Sequence, residues 1–327
     1  MSYNSHFIGI TPSNSFLITD EEWGNYKYLG VRTLRIHLQR STFKSSQDPD
    51  FSPFDKIVER AGKEGMEIIL LLSYESYENR TEPLNLGWGP IIKFTNPEDL
   101  LPITKKAIRH FKGTCVCGYE IWNEQNGMWN LTPEQYAGLI CEIYEKSKYT
   151  EKWDEKATIA FGGFDAVNVG FEDGINPNAK KWLEEFYQTS EYRDFKSKYG
   201  HSPFDVFCHH PYNIIDIVKN NQVDYNVLNT ALDGVVLDTM EKYGDSNIQL
   251  WITEYGDQDP DEIRNAVKVG YAIREFAGHP RVDKLIWFTY TYHGPTEADY
   301  GLVYDSKVKR QSFKAFAEAA KELQTEI

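Results

Sequence analysis

Eight short apolar segments alternate with eight longer amphipathic segments along almost the whole chain. One apolar segment, Met66–Leu72, is a continuous run of the kind found in strands buried on both faces. Strict alternation of strand and helix predicts a parallel sheet with crossover helices, and eight repeats favour a closed barrel over an open, doubly wound sheet. The predicted strands are His6–Thr11, Val31–Leu38, Met66–Leu72, Gly118–Asn123, Ala157–Phe161, Phe204–His209, Ile248–Thr253 and Lys284–Thr289.

The amphipathic segments carry helix start and stop signals. Thr132-Pro133-Glu134 is a typical capped start, and Ser52-Pro53 opens a segment that stops at Gly65. The predicted helices are Thr19–Leu29, Ser52–Gly65, Asn96–Lys112, Thr132–Lys148, Asn178–Tyr199, Val223–Tyr243, Asp261–Ala277 and Ser312–Gln324.

The length and the even composition indicate one domain. A chain of 327 residues suits one barrel of about 250 residues with loop insertions. There is no linker or low-complexity tract, and no G-x-G-x-x-G follows a strand, so a dinucleotide-binding fold has no support. The sequence therefore predicts a single α/β domain, a (β/α)8 TIM barrel, over residues 1–327.

The net charge and the apolar content limit the classes of partner that the protein is expected to bind. A net charge of −14 without a basic stripe argues against nucleic acid and against anionic membranes, and it favours a neutral substrate. No apolar run is long enough to cross a bilayer, and the N-terminus lacks a signal-peptide pattern. We expect a cytoplasmic protein from the sequence as given, or a secreted one if a signal peptide has been removed. A monomer or small homo-oligomer is expected.

The cysteines indicate neither a disulfide framework nor a zinc cage. Cys115 and Cys117 are too close for an easy bridge, and no C-x-x-C pair exists. Together with Cys141 and Cys208, they are expected to be reduced, packed thiols. No cofactor is predicted.

Polar and aromatic residues gather where the predicted strands end. The active site of such a barrel lies at the carboxyl ends of its strands. Glu124 follows strand four and Glu254 follows strand seven, so the fold brings two carboxylates to one mouth. The other residues at these ends are Arg35, His37, Asn123, His209, His210, Tyr212, Trp287, Phe288 and Tyr290.

Hydrolysis of a glycosidic bond requires two carboxyl groups, one protonated and one ionised. Arg35 and Tyr212 are suited to keep Glu254 ionised, by positive charge and by hydrogen bonding. Glu120 lies on the same face of strand four but deeper, and we interpret it as structural, paired with Arg35 or Arg32, since an unpaired buried charge is costly.

Five segments in order resemble clan A glycoside hydrolases, in particular families 39 and 5. The segments are LRIH (34–37), YEIWNEQN (119–126), HHPY (209–212), WITEYG (251–256) and the tail WFTYTYHGPTEADYGLVYDS (287–306). The resemblance implies a retaining mechanism on β-linked oligosaccharides or polysaccharides, with Glu124 as acid/base, Glu254 as nucleophile and Asn123 on the sugar 2-hydroxyl. It departs at Lys307–Ser312, where the family often has Lys-Pro.

The residues around the two glutamates divide between substrate binding and packing. Of the adjacent histidines, His210 is favoured for the site and His209 for packing. His37 either lines the site or fills the barrel. The remaining candidates are aromatic residues that either stack against a sugar or belong to the core. They are Tyr74, Trp88 and Trp129 in loops, and Trp287 on strand eight, where Phe288 or Tyr290 could take its place.

Two other functions remain open from the residues. A metal-dependent sugar isomerase or phosphoesterase would use His37, Glu120, His210 and Glu254 as ligands, although no H-x-H or Asp-rich cluster ends a strand. A carbohydrate-binding barrel without catalysis would not require both glutamates together with Asn123 and Tyr212.

Overall fold

A computed structural model describes most of the chain. The described residues are 4–39, 49–76, 96–127, 130–166, 178–212, 218–219, 222–223, 229–291, 300–304 and 307–325.

Eight parallel strands close into a barrel in which each strand pairs with its neighbours in the sequence, and the last pairs with the first. This confirms the predicted (β/α)8 fold. The strands are β1 Ile8–Ile10, β2 Thr33–His37, β3 Glu67–Leu72, β4 Val116–Asn123, β5 Ile159–Phe164, β6 Val206–His209, β7 Gln249–Tyr255 and β8 Val282–Trp287.

The helices surround the barrel, and side-chain caps mark the start of several of them. Thr19 and Thr132 each form a capping box, with Glu22 and Gln135 respectively, and Asp261 caps the helix after β7. The α-helices are α1 Asp20–Tyr28, α2 Ser52–Lys63, α3 Leu101–His110, α4 Pro133–Glu145, α5 Ala179–Gln188, α6 Ser190–Tyr199, α7 Asp238–Lys242, α8 Glu262–Gly278 and α9 Gln311–Thr325.

Two predicted helices differ from the structure. The predicted helix Asn178–Tyr199 is two helices, because Thr189 is extended between α5 and α6 and its hydroxyl caps the second of them. The predicted helix Val223–Tyr243 has its first residue, Val223, in a two-stranded hairpin of Val218–Lys219 with Gln222–Val223, and its described remainder contains a π-helical segment, Asn229–Leu237, before α7. Among the described residues, no helix has the length and apolarity to cross a membrane.

Apolar side chains fill the space between strands and helices, and a smaller cluster fills the barrel itself. The inner cluster contains Cys208, Trp251 and Ile286. Trp251 packs against Gly118 so closely that a Cβ there would lie 2.7 Å from its ring. The inside of the barrel is therefore packed beneath the carboxyl ends of the strands.

Candidate active site

A cavity of about 460 Å³ opens at the carboxyl ends of the strands. It contains both predicted catalytic glutamates, Glu124 and Glu254, and a rim formed by residues 11–16 after β1. Its other lining residues are Arg35, His37, Gln39, Leu71, Tyr74, Asn123, Phe288, Thr289 and Thr291.

The end of β4 departs from regular strand geometry. Successive side chains of a strand point to opposite faces, yet Asn123 and Glu124 both line the cavity. Trp122 and Glu124 have φ values of 74° and 50°, a left-handed conformation that is rare for such side chains. The bend buries Trp122 completely, and the Glu124 amide donates to the Gly163 carbonyl at 2.8 Å.

Arg35 joins three acceptors at the floor of the cavity. Its guanidinium donates to Glu120 through Nε at 2.7 Å and Nη2 at 3.0 Å, and to Glu254 Oε1 through Nη1 at 2.5 Å. Burial lowers the pKa of Arg35, but the charges of Glu120 and Glu254 outweigh that effect and raise it. The expected pairing of buried Glu120 with Arg35 is confirmed. Nη2 also donates to Asn123 Oδ1 at 2.8 Å, which leaves the Asn123 amide NH₂ as a donor.

Glu254 is held as a carboxylate by its neighbours. Tyr212 donates to its Oε2 at 2.5 Å, opposite Arg35 on Oε1. Burial raises the pKa of Glu254, but the positive charges of His210 and Arg35 and the Tyr212 hydrogen bond overcome that effect and lower it. The side chain is only 11% exposed, so Glu254 is largely enclosed although it lies at the carboxyl end of β7.

Glu124 and Glu254 face each other across the cavity. One oxygen of each carboxylate and one nitrogen of His210 lie within 4.8 Å of one another. The Glu124 side chain is 22% exposed, twice as much as that of Glu254. The two carboxyl groups therefore share one space but have different surroundings.

The adjacent histidines have different surroundings, and neither is among the residues that line the cavity. His210 is buried, with Nδ1 3.1 Å from Glu124 Oε1 and Nε2 3.1 Å from the Thr253 hydroxyl. Burial lowers the pKa of His210, but the charge of Glu254 and the hydrogen bond to Glu124 raise it overall. His209 points to the Phe164 carbonyl, 2.8 Å from its Nδ1, and burial lowers its pKa to about 3.

His37 and Tyr74 line the cavity beside β3. The His37 Nε2 atom is 2.8 Å from the Ser73 hydroxyl, and its ring packs edge-on against Tyr74 with centroids 6.1 Å apart. Both can therefore contact a ligand. Trp88 and Trp129 lie outside the described residues.

The strand-eight prediction is wrong for two residues. Trp287 is 1% exposed and packs outward against Tyr255 and Phe316, and Tyr290 is buried with its hydroxyl accepting from Asn25 at 2.7 Å. Neither lines the cavity. Trp287 is the last residue of β8 and points outward, and the lining residues that follow it are Phe288 and Thr289.

Sequence reasoning missed three contributors to the site. Gly163 donates its amide to Glu120 Oε1 at 3.0 Å and leaves room for the His210 ring. Thr253 donates its hydroxyl to the same Glu120 oxygen at 3.0 Å. The segment 11–16 forms one wall. The Gly162-Gly163 pair at the end of β5 and the position of Thr253 next to Glu254 were the available signals.

The three donors Glu124, His210 and Glu254 are the one group in the described part of the chain that is compact enough to hold a metal ion. The predicted ligands His37 and Glu120 do not belong to this group. Arg35, 2.5 Å from Glu254, would repel a divalent cation, and His210 already meets Glu124 and Thr253 with its two nitrogens. The residues fit proton transfer better than cation binding.

Comparisons with known proteins find likeness in structure only. No family model matches the sequence, and no curated protein matches it. A family 39 glycoside hydrolase from Bacteroides cellulosilyticus WH2 superposes with a TM-score of 0.70 at 16% identity, over 99% of this chain and 65% of the other. A glucosidase from Croceicoccus marinus gives 0.67 at 15%, over 98% and 68%. Xylanase 10B from Thermotoga maritima gives 0.61 at 14%, over 98% and 97%.

At these identities the likeness establishes the barrel fold. The chain spans about two thirds of the length of the first two proteins. The structural neighbours include a member of family 39, one of the two families that the five sequence motifs resemble.

Proposed function

We propose that this protein is a retaining glycoside hydrolase that cleaves β-linked glycosides or glycans, with Glu124 as general acid/base and Glu254 as nucleophile. One observation carries the proposal. One oxygen of each of two carboxyl groups, from strands across the barrel, lies within 4.8 Å of the other in one cavity, and Arg35 and Tyr212 both donate to only one of them, Glu254. Two carboxyl groups in unequal surroundings are what acid-assisted glycosyl transfer requires.

The reaction follows from these positions in two displacements. Glu254 attacks the anomeric carbon, the bond to the leaving oxygen breaks, and that oxygen takes a proton from Glu124. A water then attacks the same carbon, gives its proton to Glu124 and releases Glu254. Each step needs Glu124 in the opposite protonation state, as the same residue acts first as acid and then as base.

The spacing supports retention of configuration. Inverting enzymes hold a water between carboxyl groups about 6.5–9.5 Å apart, whereas retaining enzymes keep the groups about 5–5.5 Å apart. One oxygen of Glu124 and one of Glu254 lie within 4.8 Å of each other, which is closer to the spacing of retaining enzymes than to that of inverting ones.

The lining supports a neutral carbohydrate as the ligand. Asn123 presents its amide NH₂ beside Glu124, as the sugar 2-hydroxyl would require. Arg35, the cation among the lining residues, already contacts two carboxylates. His37, Tyr74 and Phe288 supply ring faces and a polar edge for the sugar. We propose that one catalytic unit spans the chain and acts on oligosaccharides or polysaccharides, without a metal or cofactor.

A panel of aryl β-glycosides tests the proposal directly. We expect hydrolysis of at least one, with the β-anomer of the sugar as the first product seen by NMR. An α-anomer formed first would mean inversion and would exclude the double displacement. Binding of sugars without any turnover would favour a carbohydrate-binding barrel.

Azide separates the roles of the two glutamates. In Glu254→Ala, azide should restore turnover and yield a glycosyl azide of inverted configuration, because azide replaces the nucleophile. In Glu124→Ala, azide should yield the retained configuration, because it replaces the water of the second step. The reverse pattern would exchange the two assignments.

A further inference from the structure

The hydrogen bonds around His210 define where its protons are. The Thr253 hydroxyl has one proton, and it points to Glu120 Oε1 at 3.0 Å. Glu120 is buried and also accepts from Arg35 and from the Gly163 amide, so it is a carboxylate and can only accept. The Thr253 oxygen, 3.1 Å from His210 Nε2, must therefore accept, and Nε2 must carry a hydrogen.

The other nitrogen of His210 meets Glu124. Nδ1 lies 3.1 Å from Glu124 Oε1, a distance at which one of the two atoms donates and the other accepts. With Nε2–H fixed, the contact contains one proton, either on the carboxyl of Glu124 or on Nδ1 of an imidazolium. Without that proton, a bare nitrogen would face a carboxylate oxygen, and with two protons two donors would meet.

We propose that Glu124 and His210 hold one transferable proton between them, and that His210 is the positioning residue that keeps this proton available to the acid/base group. The inference rests on the proposed function of Glu124. In the first step the shared proton leaves with the departing oxygen, so Glu124 becomes a carboxylate beside neutral His210. In the second step the proton of the attacking water restores the pair.

Several groups set how tightly the pair holds its proton. Glu254 Oε2 lies 3.8 Å from Nδ1, and Glu120 Oε1 lies 3.9 Å from Nε2. Both charges favour the imidazolium, while the Arg35 guanidinium opposes it. Tyr212 packs edge-on against the ring, and neighbouring His209 stays neutral. When Glu254 becomes a sugar ester it loses its charge, so the pair should release its proton more readily just when a base is needed.

Nitrogen NMR of ring-labelled histidine tests the pair in the resting enzyme. We expect His210 Nε2 to stay protonated between about pH 5 and 9, while Nδ1 titrates. In Glu124→Gln the Nδ1 midpoint should fall by about one pH unit or more, because the negative partner is gone. A bare Nε2 in the wild-type enzyme, or an unmoved midpoint in Glu124→Gln, would overturn the proposal. This measurement does not depend on turnover, so it decides the pair even if no glycoside is cleaved.

The pH profile tests what the pair does in catalysis. For a glycoside with a poor leaving group, His210→Gln should move the basic limb of kcat/KM at least about one unit lower. The adjacent His209→Gln, which removes a buried imidazole that touches neither glutamate, should leave that limb in place. A basic limb at the same pH in wild type and His210→Gln would contradict the inference.

Thr253→Val tests the same proposal without changing His210, which is needed if the His210→Gln variant does not fold. Thr253→Val removes the oxygen that fixes Nε2–H but keeps the shape of the side chain. The NMR spectrum of His210 should then show a mixture of the two tautomers. A single unchanged Nε2–H tautomer in Thr253→Val would show that Thr253 does not set the proton position, and the argument for one shared proton would fail.

Discussion

Gly163 lies directly beneath the imidazole of His210, so that a Cβ added to this glycine would be 2.1 Å from His210 Nε2. The φ angle of Gly163 is not left-handed, so the position needs space rather than unusual backbone freedom. The same residue accepts the amide of Glu124 and donates to Glu120. One glycine thus touches three of the polar residues on which the site depends.

Gly163→Ala should displace His210 and reduce kcat at least tenfold, while destabilising the fold by about 1–3 kcal/mol through overpacking. Gly138→Ala in α4, where an added Cβ meets nothing within 4 Å, is the matched control and should retain full activity. Urea unfolding and kcat for both variants check this. An active Gly163→Ala enzyme would show that the His210 position is not important.

Trp287 and Phe288 give a paired test of the corrected strand-eight assignment. Trp287→Ala removes a buried core side chain and should cost about 3–5 kcal/mol of stability, with little effect on KM in the fraction that folds. Phe288→Ala removes a cavity wall and should raise KM severalfold, at a smaller cost in stability. The reverse result, with KM sensitive to Trp287, would return that residue to the substrate site.

Much of the fold could be predicted from the sequence, because burial imposes a simple pattern of apolar residues on strands and helices. The run Met66–Leu72 predicted β3 to within a residue, and the Thr132-Pro133 cap predicted the start of α4. Arg35, Glu124 and Glu254 were placed at strand ends by the same alternation, and the barrel then fixed their meeting place.

What the sequence did not reveal depends on contacts between distant residues. The left-handed backbone at Trp122 and Glu124 interrupts the alternation of side chains at the end of β4. No local sequence pattern predicts this conformation. The need for glycine at Gly163 exists only once the His210 ring lies over it. The sequence on both sides of Thr189 has a helical pattern, so the pattern does not reveal the break there. The Thr189 hydroxyl caps α6, which separates α6 from α5.

Chelation discriminates between proton transfer and metal catalysis. Because Arg35 contacts Glu254 at 2.5 Å, we expect prolonged treatment with EDTA to leave kcat and the thermal midpoint unchanged. Metal analysis of the dialysed enzyme serves as the control. Activity that disappears with EDTA and returns with a divalent cation would favour the isomerase or phosphoesterase alternative.

The acid limb of the pH profile should report Glu254. Its pKa is lowered by the charges of His210 and Arg35 and by the Tyr212 hydrogen bond, all of which overcome burial. Activity requires the carboxylate, so it should persist to low pH and fall only as the pH drops through this lowered pKa. Burial raises the pKa of Tyr212 well above 10, so its hydroxyl remains a donor throughout the assay range.

Tyr212→Phe removes that donor and should raise the pKa of Glu254. The acid limb should therefore move upward by about one pH unit, the scale of one hydrogen bond to a charged group. Tyr187→Phe is the chemical control, because the Tyr187 hydroxyl also donates to a buried carboxylate, Asp245, at 2.9 Å. It should lower stability without moving the acid limb. An acid limb that stays in place in Tyr212→Phe would mean that a group other than Glu254 must be ionised for the first step, and the nucleophile assignment would be wrong.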